Sequence, residues 1–406
     1  ATDPTDLAET RFYVATSVDV FGAESAPCPI SNSVSWQPGQ TVTVTFPSAP
    51  AGNYNIVGWN LYRTATGTDG TDFQYVQSGS SWGAGVGDSV ATSALGEVLG
   101  TENYDLPNAN MIGITAMPGG FLAGHYKNQL FFSEPGHPHA WPVDYQLNTK
   151  ADIVGIKTLG QNMLVVTTKD KPYMVVGNDP SSMSITELGD VVQACVNKRS
   201  MCDVGAGVIY ASPDGLVLVT TGGANVITTG VFTRSQWQAL KPESMECYYW
   251  EGLCMVFWNT GTVRGGFIIN PNMAEGGVVT LTDEIDGGWY DSLTDKLYLS
   301  IGGYIKQWDA GTAYRTGYWF SKKFEFFRPT PFGAARLRMN TSGAVTILVY
   351  DDNGNQVWQK IVYDTRPTRV PGGKRFTGAS FALVLTGAKE VHAVELAESM
   401  SELRGG

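Results

Sequence analysis

Five polar tight turns, each set between two apolar runs, recur along the middle of the chain at Lys127-Asn128, Gln161-Asn162, Asp214-Gly215, Glu251-Gly252 and Thr294-Asp295. The second residues of these turns stand 34, 53, 37 and 43 positions apart. Their mean of about 42 falls within the roughly 40–45-residue period of four-stranded propeller blades. The flanks have strand character: Val208 to Ser212 with Leu216 to Thr221, Cys247 to Trp250 with Leu253 to Trp258, and Trp289-Tyr290 with Leu297 to Ile301. A hairpin of this size cannot bury both its faces, so neighbours must stack, and radial stacking leaves a central channel. The competing arrangement is a set of meanders within ordinary sandwiches. Five hairpins fall short of a comfortable ring. The chain opens at Ala1-Thr2-Asp3 without an initiator Met, and upstream residues could close a sixth blade. Trp308-Asp309 resembles the dipeptide that ends some blades, in a single copy.

The regions on either side follow a different rhythm. From residue 1 to 106 the pattern is that of a β-sandwich, with Val42, Val44 and Phe46 alternating with threonines and a second strand from Tyr54 to Arg63. Ala65 to Asp72 and Ser78 to Asp88 are rich in Gly, Ser and Thr and are expected to be turns and flexible edges. Tyr13 to Asp19, followed by Phe21 to Pro27, resembles the last hairpin of a fibronectin type III module. The propeller-like region spans 107–313. The last region, 314–406, returns to sandwich-like strands, with Ala344 to Tyr350 and Gln356 to Tyr363 joined through Asn353-Gly354, then Ser380 to Leu385 and Val391 to Leu396. A short helical tail is expected at Ala397 to Leu403, and one internal helix at Thr233 to Leu240. The fold class is therefore all-β.

Only 16% of the residues are charged, and 48 Gly, 18 Tyr and 11 Trp favour short strands and tight turns. A net charge of −11 repels the phosphate backbone, which excludes a protein that grips nucleic acid by counterion release. It suits a surface past which DNA slides, and equally a chain that is merely kept in solution. Cys28, Cys195, Cys202, Cys247 and Cys254 form no C-x-x-C pair, and their odd number points to folding in a reducing cytoplasm. No apolar run approaches the ~20 residues of a membrane helix, so no membrane anchor is expected.

Candidate chemistry is sparse. Gly136-His137-Pro138-His139 places two imidazoles on one side of an extended segment, yet a stable metal site needs three or four ligands and no third is near. Asp351 to Asn355 superficially matches a calcium loop, but Val362 stands where the closing glutamate belongs, and a hairpin turn explains it better. Thr66 to Asp72 lacks the Gly-Lys-Ser/Thr ending of a phosphate loop. Nothing pairs Cys195 with His125, His137, His139 or His392, and no Gly-x-Ser-x-Gly elbow occurs. Glu284/Asp286 and Asp291/Asp295 could be a glycosidase's carboxylates, although such residues between strands are usually turn-forming. Tyr248, Tyr249, Trp250, Phe257 and Trp258 could line a sugar groove and are expected first as core filling. No catalytic, cofactor or metal residue is assigned, and the chain is expected not to be an enzyme.

The middle of the chain resembles the propeller of podovirus tail nozzle proteins. The resemblance runs through Leu130-Phe131-Phe132-Ser133-Glu134-Pro135-Gly136-His137-Pro138-His139-Ala140-Trp141-Pro142 and Lys171-Pro172-Tyr173-Met174-Val175-Val176-Gly177. It continues in Gln193-Ala194-Cys195-Val196-Asn197-Lys198-Arg199-Ser200, Tyr210-Ala211-Ser212-Pro213-Asp214-Gly215-Leu216 and Phe232-Thr233-Arg234-Ser235-Gln236-Trp237. The flanking regions resemble the same family more loosely. The resemblance implies a virion structural protein, assembled in the host cytoplasm into a homo-oligomeric ring, commonly a hexamer. That ring would sit below the tail adaptor ring at the distal end of a short tail and would carry fibres or spikes. It would hold genomic DNA back and then pass it without sequence-specific binding. Family members usually carry more chain before the N-terminus. The alternative is a secreted carbohydrate-binding or carbohydrate-active propeller, with a central pocket bearing carboxylates.

Overall fold

Alternating apolar and polar positions produce short antiparallel strands throughout, and Arg234–Ala239 is the single α-helix among the described residues. The computed structural model describes residues 8–403 except 47, 50, 51, 53, 66–71, 190–192, 274–276, 341–342, 371–374 and 388–389. The chain divides into two units, Ala1–Lys306 and Gln307–Gly406.

The first unit contains five small sheets in chain succession, each with its strands paired in sequence order. The first comprises Ile112–Ala116, Leu122–Tyr126, Gln129–Phe132 and Gln146–Asn148. The second comprises Ile153–Leu159, Met163–Thr168, Tyr173–Val176 and Ser184–Glu187. Cys202–Asp203, Val208–Ser212, Gly215–Thr220 and Gly223–Val226 make the third, and Glu246–Trp250, Leu253–Asn259, Arg264–Ile269 and Val278–Leu281 the fourth. The fifth has three strands, Gly287–Asp291, Lys296–Ile301 and Tyr304–Gln307. The leading strand of each sheet packs against the leading strand of the next, from first to fifth, which is the radial order of a β-propeller.

Leading strands begin at Ile112, Ile153, Cys202, Glu246 and Gly287, in steps of 41 to 49 residues. All five expected hairpins are present. The uneven turn spacing has a structural cause. In the first and third sheets the hairpin joins the second and third strands, whereas in the others it joins the first and second. Apolar side chains interlock between neighbouring sheets: Leu130, Phe132, Ile156, Leu164 and Val175 share one core, and Ile209, Trp237, Cys254, Val256 and Phe267 share another.

Ahead of these sheets, Tyr13–Asp19, Ile56–Thr64 and Phe73–Gly79 form one sheet that faces the pair Val42–Thr45 and Gly85–Asp88. Tyr13, Phe46, Trp59, Leu61 and Val76 fill the space between them, so this is a sandwich. Gly85–Asp88 corrects the expectation of a flexible Ser78–Asp88 loop. Alternate glycines hid the strand period. A Cβ at Gly85 would stand 2.8 Å from Thr43 Cγ2, so a bare backbone is what lets this strand lie against the threonine strand. Apart from Asp72, the Thr66–Asp72 loop lies outside the described residues.

The second unit is also a two-sheet sandwich. Gly317–Phe320, Phe324–Pro331, Arg375–Leu385, Val345–Tyr350 and Gln356–Val362 form one sheet, and Thr368–Arg369, Ala334–Met339 and Val391–Ala397 the other. Leu337, Ile347, Val349, Phe376 and Phe381 are among the side chains between them. The expected helical tail is not helical: strand runs through Ala397 and turns follow to Leu403. Side chains take the hydrogen bonds that a helix would need. Ser399 Oγ donates to Glu402 Oε1 at 2.9 Å, and Arg336 Nη1 donates to the Leu403 carbonyl at 2.8 Å.

Candidate functional site

A concavity in the first unit lies among the leading strands of the propeller-like sheets. It has a volume of about 950 Å³ and takes its wall from the second, third, fourth and fifth sheets. Lys157, Lys198 and Arg199 face it together with Asp203, Glu246 and Asp286, so its charge is balanced although the chain carries −11. Arg199 Nη1 lies 2.6 Å from Glu246 Oε1, and the Tyr248 hydroxyl donates to Glu246 Oε2 at 2.7 Å. Burial and that carboxylate push the Tyr248 phenol up from its ordinary value. Asp286 is held by Arg264 at 2.5 Å.

Several motif segments act as staples between sheets. Within Gln193–Ser200, the Gln193 carbonyl accepts from the Tyr210 hydroxyl at 2.7 Å and the Cys195 amide donates to the Thr168 carbonyl at 2.9 Å. Asn197 Nδ2 reaches the Met245 carbonyl at 2.8 Å, just before the fourth sheet. The Phe232–Trp237 segment closes on the third hairpin: Thr233 caps the helix with Gln236 in a capping box, and Trp237 Nε1 donates to the Ser212 carbonyl at 2.8 Å. Segments apart in sequence are thus tied to one another across the propeller-like sheets.

The structure separates the other candidates. Asp291 accepts from the Leu293 amide and Thr294 hydroxyl, and Asp295 accepts from the Tyr290 hydroxyl, so this pair shapes a turn. Asp351 Oδ1 accepts from the amides of Asn353 and Asn355, and Gly354 has φ +77°, as the hairpin turn requires. Phe257 is buried and Trp258 packs on Phe267, whereas Tyr248 and Tyr249 face the cavity. All five cysteines are free thiols, with Cys28 exposed and the other four buried. Burial pushes the Cys195 thiol up to about 11. His125 is buried with Nδ1 unpartnered, and burial together with Lys198 lowers it to about 4.

His137 and His139 do come together with a residue that sequence reasoning passed over. Tyr104 stands 5.3 Å from the His137 ring and 5.8 Å from the His139 ring, and His139 Nε2 contacts the Glu24 carbonyl oxygen at 3.0 Å. Among the described residues no group of three or more His, Cys, Asp or Glu is arranged to hold a metal ion.

No protein-family model and no curated protein matches the chain. Among solved structures, similarity extends to an extracellular domain from B. thetaiotaomicron described as part of a hybrid two-component system, at 15% identity and TM-score 0.36. The match covers 51% of this chain and spans 29% of the length of that one. Virginiamycin B lyase from Staphylococcus aureus is similar at 11% identity and TM-score 0.33, over 71% of this chain and 84% of its own. Tricorn protease follows at 12% identity and TM-score 0.34, over 59% and 26%. Likeness this distant is no guide to activity. The propeller-like assignment stands on the strand order itself.

Proposed function

We propose that this protein is a structural subunit of the tail nozzle of a short-tailed bacteriophage, located at the distal end of the tail and acting without enzymatic chemistry. The resemblance of the ordered motifs from Leu130 to Trp237 carries this reading, and two of those segments, Gln193–Ser200 and Phe232–Trp237, also tie parts of the propeller framework together. A second feature fits assembly into a ring. The terminal sheets leave large apolar side chains of their leading strands uncovered, Ile112 and Ile114 at one end and Trp289 and Tyr290 at the other. Six copies in a ring would bury such surfaces between subunits.

The work of the nozzle is physical. The two-sheet sandwiches and the stapled propeller hold loops at a narrow conduit, and acidic surface keeps passing DNA from adhering. The balanced cavity inside one subunit is too small and too neutral for that part, so the conduit is the space enclosed by several subunits. The adaptor ring would contact one end of the ring, and fibres or spikes its outer surface. Electron microscopy of the purified chain tests this. Ring-shaped averages with an open centre are expected, whereas single subunits that bind or cleave glycans would replace the nozzle by a carbohydrate-active propeller.

A further inference from the structure

A second pocket, about 540 Å³ in volume, lies between the N-terminal sandwich and the first sheet of the propeller. Its floor is built by register. Tyr62 and Tyr75 are cross-strand partners on adjacent strands, and their rings meet edge-on at 5.8 Å. One wall is the segment after Leu95, which runs along the last strand of that sheet: the Gly96 amide donates to the Tyr75 carbonyl at 2.8 Å and the Tyr75 amide to the Glu97 carbonyl at 2.9 Å. A Cβ at Gly96 would stand 3.0 Å from the Tyr75 ring, so glycine lets this wall close on the aromatic floor. Tyr104 and His137 stand at the propeller side.

The polar groups of this pocket are mostly acceptors. The Glu24 carboxylate is held in place by the Tyr62 hydroxyl, which donates to Oε1 at 2.7 Å, and by the Thr16 hydroxyl. Glu97 adds a second carboxylate, and no Lys or Arg lines the pocket. Two carboxylates beside aromatic faces are complementary to a cation with an apolar body. We propose that this pocket binds an organic ammonium ion, with Glu24 and Glu97 balancing its charge and Tyr75 and Tyr104 covering its alkyl part.

The full chain should be titrated with n-butylammonium, with n-butanol as the neutral probe of the same shape and with maltose as a saccharide. Saturable 1:1 binding of n-butylammonium is expected, at least about tenfold tighter than either neutral probe. Glu24→Gln keeps the acceptor oxygen that Tyr62 and Thr16 use, and Glu97→Gln changes an exposed residue, so both should fold. Each should weaken the ammonium by about tenfold and leave n-butanol unchanged. Equal or tighter binding of n-butanol or maltose would overturn the proposal, as would ammonium binding that neither glutamine variant affects. Near-ultraviolet circular dichroism identical to that of the parent confirms that a loss comes from charge and not from unfolding.

Discussion

Replacing Asp88 by asparagine should cost the N-terminal sandwich about 3–5 kcal/mol, the penalty for breaking a buried ion pair from one side. Asp88, Arg11 and Arg63 are all 0% exposed. Asp88 Oδ2 lies 3.0 Å from Arg63 Nε and 3.6 Å from Arg11 Nη1, and accepts from the Tyr13 hydroxyl at 2.8 Å. Its other oxygen accepts from the Val90 amide at 2.9 Å. Asparagine preserves shape and one acceptor but removes the charge. Arg11 then retains Glu9 at 2.9 Å and the Trp36 face at 3.5 Å, while Arg63 keeps the neutral Val90 carbonyl at 2.7 Å. Urea unfolding followed by circular dichroism measures the loss. Combining Asp88→Leu with Arg63→Met should cost less than the two changes separately, because the stranded charge is removed with its partner. A loss below about 1 kcal/mol for Asp88→Asn would refute the reasoning, since that is the scale of a solvent-exposed pair.

Three further outcomes follow from single sites. His125 is lowered to about 4 in the fold, so the unfolded chain binds the extra proton first: its contribution is complete above pH 6.5 and is lost as pH falls toward 4. His125→Gln should flatten the urea-unfolding pH profile in that window, by up to about 3 kcal/mol between its ends. Trp237→Ala empties a fully buried site and frees the Ser212 carbonyl, so a loss of about 3–5 kcal/mol is expected by the same unfolding assay. Maleimide should label the native chain rapidly at exposed Cys28 and slowly at the four buried thiols, with mass spectrometry counting five adducts after unfolding.

The hairpins were legible in the sequence because each carries its own instructions: an apolar alternation and a polar turn, in which Lys127, Glu251, Gly252 and Asp295 take up positive φ. The helix at Thr233 was legible for a similar local reason, its cap and its Trp237 anchor. Strands that depend on a neighbour were harder to see. Cys202–Asp203 has two residues and Gly223–Val226 has little apolar character, and each is a strand only because a longer one offers it a ladder. The ammonium pocket was invisible for the same reason. Glu24 meets Tyr62 across 38 residues and His139 across 115, distances over which no local pattern reports. The tail after Ala397 misled because its composition suits a helix, while Arg336 captures the Leu403 carbonyl.

The mass of the purified chain in solution, by light scattering at physiological salt, tests the nozzle reading most directly. A particle near six times the 43.7 kDa chain mass is expected, with Ile112→Lys or Trp289→Lys shifting it toward single chains at unchanged unfolding midpoint. A parent chain that remains at 43.7 kDa at every concentration would contradict the nozzle assignment.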